Sequence, residues 1–285
     1  MATLERRWAW TFPELSDRDL KAVSQLVYEK SGITLHRGKR ALVLARLQRR
    51  VRQGGFATFE QYLTHVTSDP TGDELTALID AIATNHTAFF RELPHFEFLR
   101  TVVLPPLAAR SAVSQIIGWS ASCSSGEEPY TIAMTCIDQF GDLASRRVRL
   151  LGSDLSTKVL QMAKAGVYRL DQVENVPYET LRKHFEKGLG TQHGTVRLSP
   201  GVRQMVEFRQ INLLEPPLFA SGFDFIFCRN VMIYFDATVQ QRVVAHLERR
   251  LAPGGYLFIA HSESLDGISH GLTRVAPAVY RKGLR

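Results

Sequence analysis

A loop of small residues leads into a predicted helix that begins with two acidic side chains. Residues 120–129 have the sequence SASCSSGEEP, which places Glu127 and Glu128 in the first turn. Small side chains let a ligand approach the backbone, and the amides of a helix start favour a carboxylate, whereas a nearby acid favours an ammonium or sulfonium group. The loop therefore suits a zwitterionic amino-acid group. Ser125 and Glu128 also have capping-box spacing, and for Glu128 considered alone this structural alternative is favoured.

An acidic residue also ends the next predicted strand. Asp154 occupies the position at which nucleotide-binding folds commonly place an acid that accepts the hydroxyl protons of a ribose. An N-cap role for the helix that begins near Ser156 is the structural alternative, and both roles can hold together. The pattern G-x-G-x-x-G is absent after the first strand, which disfavours a dinucleotide and leaves an adenosine ligand without a pyrophosphate.

Two further predicted strands are followed by polar residues. Asn212 and Leu213 follow one of them, and Arg229 and Asn230 follow the other. Such pairs of polar and apolar residues can bind the edge of a nucleobase and an adjacent polar part of the same ligand. Tyr234 lies in a short apolar stretch, where a buried aromatic ring is usual and a hydroxyl that faces a ligand is the exception.

Hydrogen-bond donors are concentrated in residues 84–92, which have the sequence TNHTAFFRE. Asn85, Thr87 and Arg91 supply the donors, while the two phenylalanines can anchor the segment. A plain interdomain hinge would explain the aromatic residues but less easily the donors. Because no second histidine stands at metal-ligand spacing from His86, we predict no metal site.

Short apolar runs separated by helical stretches must position these residues. This alternation predicts an α/β domain with a mostly parallel sheet, which binds its ligand beyond the carboxyl ends of the strands. Extra length between residues 168 and 206 predicts an inserted β-subdomain, which is either a tolerated surface insertion or a separate binding platform. The apolar runs are residues 116–120, 148–152, 206–211, 223–228 and 256–260.

Before this alternation the apolar residues recur with helical spacing, which predicts an all-helical first domain over residues 1–83. Within it, Lys39, Arg46 and Arg50 fall on one side of a single helix. This basic face is either a solvated helix surface or a docking surface for an acidic partner.

Composition narrows the class of protein. A chain of 285 residues with 45% hydrophobic content can bury at least one sizeable core, and its net charge of +7 favours acidic partners without choosing among nucleic acid, membrane surface and protein. The three cysteines show no pairing that would indicate disulfides or a zinc site, and no apolar run has the length of a membrane span. We therefore expect a cytoplasmic protein.

Taken together, these motifs resemble those of the bacterial chemotaxis receptor methyltransferases. Three blocks carry the resemblance: residues 84–92, residues 119–130 (WSASCSSGEEPY) and residues 227–236 (FCRNVMIYFD). The likeness extends over nearly the whole chain. One departure is Ser122, which stands where many members of that family have Gly or Ala.

The resemblance implies a class I S-adenosylmethionine-dependent methyltransferase domain (Rossmann-like) over residues 99–285, with a small antiparallel β-subdomain at about 168–206. It also implies the all-helical domain over residues 1–83 and an active-site linker over residues 84–98. The implied reaction transfers a methyl group from S-adenosylmethionine to glutamate side chains of chemoreceptors. The products are glutamate methyl esters, which serve chemotactic adaptation, and S-adenosylhomocysteine.

The resemblance also assigns roles to single residues. Arg91 and Tyr234 are implied to be catalytic, Glu128 to meet the methionine amino group and Asp154 to hold the ribose. The implied cofactor pocket comprises these two acids together with Asn85, Thr87, Arg91, Asn212, Leu213, Arg229 and Asn230.

The implied partner is the cytoplasmic domain of a chemoreceptor, which Lys39, Arg46 and Arg50 would contact. The β-subdomain would offer a place for the receptor's C-terminal peptide. We expect a monomer that neither binds nucleic acid nor inserts into a membrane. Three alternatives stay open: a catalytically idle adaptor that binds S-adenosylmethionine, an RNA methyltransferase and, as the weakest, an NAD dehydrogenase.

Overall fold

The chain folds as two units, Met1–Thr84 and Asn85–Arg285. The computed structural model describes residues 13–111, 113–216 and 222–284. None of the helices among these residues combines the length and the apolar character that crossing a bilayer requires.

The described part of the first unit is helical, as predicted. Its helices are α1 (Asp17–Ser31), α2 (Arg40–Gln53), α3 (Phe59–Ser68) and α4 (Asp73–Ile82). Ser16 and Asp19 form a capping box that starts α1, and Gly32 ends this helix in a left-handed conformation. The helices bury apolar residues spaced three or four apart, including Val43, Leu47 and Val51 of α2 and Leu78, Ile79 and Ile82 of α4.

The second unit begins with helices and then alternates strands with helices. In chain order its helices are α5 (Leu93–Phe98), α6 (Leu104–Ala108), α7 (Glu127–Phe140), α8 (Ala144–Arg147), α9 (Thr157–Ala165), α10 (Tyr178–His184), α11 (Pro200–Arg203) and α12 (Ala237–Arg250). A π-helical turn, Leu99–Val103, joins α5 to α6. Its strands are β1 (Ile116–Ala121), β2 (Val148–Asp154), β3 (Val167–Arg169), β4 (Phe185–Lys187), β5 (Thr195–Leu198), β6 (Val206–Gln210), β7 (Phe223–Cys228), β8 (Leu251–Phe258), β9 (Leu272–Ala276) and β10 (Val279–Lys282).

Seven strands form one sheet in the order β6-β2-β1-β7-β8-β10-β9. The strands β6, β2, β1, β7 and β8 are mutually parallel, while β10 runs antiparallel to both of its neighbours. The prediction of a mostly parallel sheet is therefore confirmed. From β1 the chain builds the sheet outward through β2 and β6, then returns to build the other half from β7. The crevice between the ends of β1 and β7 is thus the switch point at which such sheets bind ligands.

Aromatic side chains fill the core beneath this crevice. Phe225, Phe227 and Phe258 are wholly buried, and the last two stack with ring centroids 4.2 Å apart. Gly118 in β1 makes room for one of them, because a Cβ atom there would lie 2.2 Å from the Phe225 ring.

The predicted β-subdomain is also confirmed. Strands β3, β5 and β4 form a separate antiparallel sheet in that order. The hydroxyl of Tyr168 in β3 donates to the carbonyl of Ser125 at 2.8 Å, so this sheet is fastened to the loop that follows β1.

Candidate functional site

Unusual backbone conformations mark the crevice. Ser122 and Ser124 after β1 have φ values of 67° and 49°, and Asn230 after β7 has 59°. Phe90 and Glu92, in the segment before α5, have 54° and 59°. Left-handed backbone is costly for residues other than glycine and concentrates at functional sites, so these loops are the first place to look for one.

Glu128 turns its carboxylate toward the strand ends instead of capping its own helix. The N-cap of α7 is Gly126, which forms no side-chain cap, and Ser125 donates its hydroxyl to Glu127 at 2.7 and 3.0 Å. The capping-box alternative is therefore wrong. Glu128 accepts a hydrogen bond of 2.7 Å from the hydroxyl of Ser120 at the end of β1.

Arg229 lies between two carboxylates. Its guanidinium nitrogens lie 3.0 Å from Glu128 and 3.2 Å from Glu92, and it also donates to the backbone carbonyl of Arg91. Only 2% of the Arg229 side chain is exposed. Sequence reasoning assigned both Arg229 and Glu128 to the cofactor pocket, and the structure brings the two side chains into contact.

The same cluster sets the pKa values of the two acids. Burial raises the pKa of Glu128 above its usual value, although the charge of Arg229 opposes this shift. Burial alone would also raise the pKa of Glu92. The charge of Arg229 and a backbone hydrogen bond from His261 outweigh this effect, so the pKa of Glu92 is lowered. The charge of Arg229 therefore favours the ionised form of both carboxylates.

The polar groups of this crevice fit an amino-acid end such as that of S-adenosylmethionine. Two carboxylates share one guanidinium, so an ammonium group can be accommodated beside Glu128. The Nε atom of Arg229 is buried and finds no hydrogen-bond acceptor among the described residues. An unmet buried donor costs about 1–3 kcal/mol, and a ligand carboxylate could satisfy it.

Asp154 is fixed at the end of β2. Its two carboxylate oxygens accept the backbone N–H groups of Ser124 at 2.9 Å and Ser156 at 3.0 Å. Ser156, not Asp154, is the N-cap of α9, so the N-cap alternative for Asp154 is wrong. These two contacts hold the carboxylate in place at the end of β2.

The segment before α5 is tied to the loop after β1. The hydroxyl of Ser124 donates to the carbonyl of Asn85 at 2.9 Å, and the N–H of Phe90 donates to the hydroxyl of Thr131 at 3.2 Å. Arg91 is half-buried and donates to the carbonyl of His86 at 3.0 Å. Thr87, between these anchors, is also half-buried.

The other predicted pocket residues lie at the ends of β6 and β7. Asn212 accepts the N–H of Leu214 with its side chain at 3.1 Å, and Leu213 is buried. Asn230 and Tyr234 are both half-buried, and Tyr234 ends the 3₁₀ turn Met232–Tyr234. These side chains therefore belong to the same edge of the sheet as Glu128 and Asp154.

Glu92, His95 and His261 bring three potential metal ligands within 4.8 Å of one another. The two imidazole rings stack with centroids 4.5 Å apart and an angle of 4° between their planes. Parallel stacked rings direct their lone pairs along separate lines, and Glu92 already pairs with Arg229. Burial lowers the pKa of His95 to about 4, so this ring is neutral at pH 7.

Sequence reasoning missed two acids of this site. Glu92 pairs with Arg229, and Glu263 accepts backbone N–H groups of the loop after β7. Glu263 was within reach of the rule that residues beyond strand ends should be inspected, since it follows β8 closely. Glu92 precedes α5 and follows no strand, so this rule does not find it.

In the first unit, the three residues of the predicted basic face have different surroundings. Lys39 is exposed just before α2. Arg46 donates to the carbonyls of Ile82 and Ala83 at the end of α4, and Arg50 forms a bidentate pair with Glu74 at 2.8 to 3.0 Å. Two of the three cations thus hold α2 against α4.

Two family models together match almost all of the chain. "CheR methyltransferase, all-alpha domain" matches residues 18–83, and "CheR methyltransferase, SAM binding domain" matches residues 85–279. The division between them coincides with that between the two units of the structure.

Several named relatives are similar to this chain over most of their length. The chain is 40% identical over 267 residues to the "Chemotaxis protein methyltransferase" of Escherichia coli. The aligned region covers 93% of this chain and 91% of the relative. It is 39% identical to "Chemotaxis protein methyltransferase 2" of Pseudomonas aeruginosa, with 92% of each chain covered. The relative from Borreliella burgdorferi is 36% identical, over 93% of this chain and 94% of its own. With its helical first unit, its switch-point crevice and these matches, the chain belongs to the CheR methyltransferase family and is an S-adenosylmethionine-dependent methyltransferase.

Proposed function

We propose that the chain transfers a methyl group from S-adenosylmethionine to glutamate side chains in the cytoplasmic domains of chemoreceptors, and that it acts in the cytoplasm. The observation that carries this proposal is the crevice at the β1/β7 switch point, where Glu128 and Arg229 meet beside the backbone of Arg91. The names of the similar proteins, which specify chemotaxis and methyl transfer, support the same substrate class.

Four groups of residues would hold the cofactor. Glu128 would bind the amino group, Asp154 the ribose hydroxyls, and Asn212 with Leu213 the adenine. The remaining contacts would come from Asn85, Thr87, Arg91, Arg229 and Asn230. The chemistry that S-adenosylmethionine supplies when bound is an electrophilic methyl group on a sulfonium sulfur.

A glutamate substrate reduces the catalytic work to positioning. Its carboxylate has an ordinary pKa of roughly 4.3, so it is ionised at neutral pH and needs no general base. What the protein must supply is alignment at about 3 to 3.5 Å and the removal of water. We assign the steering of the carboxylate to Arg91 and its orientation to Tyr234. An Arg contact that is too strong would stabilise the nucleophile in its ground state, so Arg91 aids alignment more than activation.

Recognition of the receptor would use two further surfaces. Lys39, Arg46 and Arg50 are proposed to form the surface that faces the receptor. Lys39 is exposed there, whereas Arg46 and Arg50 are half-buried and also bind groups of α4. The antiparallel sheet of β3, β5 and β4 is proposed to receive the receptor's C-terminal peptide. We propose that the enzyme acts as a monomer.

The proposal is tested by incubating the purified protein with methyl-labelled S-adenosylmethionine and receptor cytoplasmic fragments. The expected result is label on the receptor that mild base releases, because carboxyl methyl esters hydrolyse in base, followed by mapping to glutamate residues. Cofactor binding without transfer to any receptor fragment would favour the adaptor alternative. Base-stable label on RNA would favour the RNA methyltransferase.

A further inference from the structure

Glu263 is a buried acid to which the mechanism above gives no role. It follows β8, and its carboxylate faces the loop that leaves β7. One of its oxygens accepts the N–H groups of Ala260 at 2.8 Å and Asn230 at 3.1 Å, while the other accepts the N–H of Ile233 at 3.3 Å. A single carboxylate therefore binds the ends of two neighbouring parallel strands together.

The loop that Glu263 holds carries three of the residues assigned to the site. It runs from Arg229 to Tyr234 and includes Asn230, whose left-handed φ of 59° needs support from its surroundings. On its other side, the side chain of Gln240 in α12 donates to the carbonyl of Met232 at 3.0 Å. The loop is thus fastened through its N–H groups by Glu263 and through its carbonyl groups by Gln240.

We propose that Glu263 is a positioning residue for methyl transfer, which fixes the loop after β7 and thereby sets the place of the Tyr234 side chain. This inference rests on the proposed function. Its physical basis is that a carboxylate has only acceptor oxygens, which suit the three N–H donors that converge on Glu263. An ionised carboxylate also accepts such hydrogen bonds more strongly than a neutral group does.

The glutamine variant separates this role from simple packing. Glu263→Gln keeps the volume but replaces one acceptor oxygen by an NH₂ group, which would face at least one backbone N–H with a second donor. The loop would then shift by a fraction of an ångström, and misplacement of about 1 Å can cost on the order of 100-fold in rate.

A double-mutant cycle with Tyr234→Phe tests the connection to Tyr234. We expect E263Q alone to lower kcat for receptor methylation, at saturating receptor and cofactor, by roughly 10- to 100-fold. In the Y234F background, E263Q should lower kcat only a few-fold, because the Tyr234 hydroxyl that E263Q would misplace is already absent.

Glu248 provides a matched control. Its carboxylate accepts the N–H of Gly271 at 3.0 Å, so E248Q makes the same chemical change on a carboxylate that holds a loop remote from the crevice. We expect its kcat to stay close to that of the wild type. If E263Q proves unable to fold, E263D takes its place in the cycle, because the shorter acid keeps its charge but retracts from the N–H groups.

Equal losses from E263Q with and without the Tyr234 hydroxyl would overturn the inference, as would an E263Q protein with wild-type kcat. A wild-type protein that methylates no receptor would overturn the proposed function itself, so the two failures are distinguishable in one assay.

Discussion

The proposed function gives Arg91 a larger role toward the substrate than toward the cofactor. Replacing Arg91 by alanine should lower kcat/KM for receptor methylation by about 100-fold or more, because the acceptor carboxylate loses its alignment. Affinity for S-adenosylhomocysteine, measured by calorimetry, should fall much less. Arg100→Ala, which removes an exposed arginine from the turn after α5, is the control and should behave like the wild type. Unchanged turnover in R91A would contradict the assignment.

Glu128 should matter for the cofactor. Glu128→Gln keeps the shape and the hydrogen bond from Ser120 but removes the charge offered to the ligand's amino group. A hydrogen bond to a charged group contributes about 1.5–3 kcal/mol, so affinity for S-adenosylhomocysteine should fall by roughly 10- to 150-fold. The neighbouring variant Glu127→Gln is the control, since Glu127 is held by Ser125 instead. Equal affinity losses in both variants would count against a specific role.

The pH dependence of binding follows from the same group. Burial raises the pKa of Glu128, so acidification protonates it sooner than an exposed glutamate and removes the charge that attracts the ammonium. Wild-type affinity should therefore weaken as the pH falls toward that raised pKa, whereas E128Q should show a flatter profile over the same range. Calorimetric titrations from neutral pH downward would reveal the difference.

The start of α7 packs closely against α9. Gly126 has a φ of 97°, and a Cβ atom there would lie 2.9 Å from the Cβ of Ala163. Gly126→Ala therefore combines backbone strain with overpacking and should lower the free energy of unfolding by about 2–4 kcal/mol, as measured by urea denaturation. Gly141, at the other end of α7, has a φ of 56° and open space around it. Gly141→Ala should lower the free energy of unfolding by less than Gly126→Ala does. An equal decrease in the two variants would show that packing against α9 is unimportant.

Strands with apolar runs were predictable, and those without them were not. The run 223–228 matches β7 because all six residues are buried there. The prediction for 256–260 captured only the end of β8, which begins at Leu251 and passes through two glycines. The last two strands were missed, since three of the five residues of β9 face solvent and β10 is short. Their antiparallel pairing depends on partners elsewhere in the sheet.

The candidate site was predictable as a set of positions, while the directions of its side chains were not. The strand-end rule located Glu128, Asp154 and Arg229 correctly at one edge of the sheet. Whether Glu128 caps its helix or reaches Arg229 is decided by a contact between residues 101 positions apart in the chain. Such long-range pairing leaves no trace in local spacing.

All residues assigned to cofactor binding, from Asn85 to Asn230, belong to the second unit. A fragment comprising residues 85–285 should therefore bind S-adenosylhomocysteine within about 1 kcal/mol of the full chain, or roughly fivefold in affinity. Calorimetry on both proteins measures this directly. The same fragment should methylate receptors poorly, because the proposed basic face lies in the first unit. Loss of cofactor binding in a folded fragment would contradict the assignment of the cofactor site to the second unit.

The buried cluster of Arg229, Glu92 and Glu128 links the stability of the protein to its ligand. Two anions and one cation leave this cluster one positive charge short, and the counter-ion that we propose is the ligand's ammonium group. Binding and folding are then linked, and a ligand at 100 times its dissociation constant adds about 2.7 kcal/mol to stability. Removal of the ligand would lower the free energy of unfolding by the same amount.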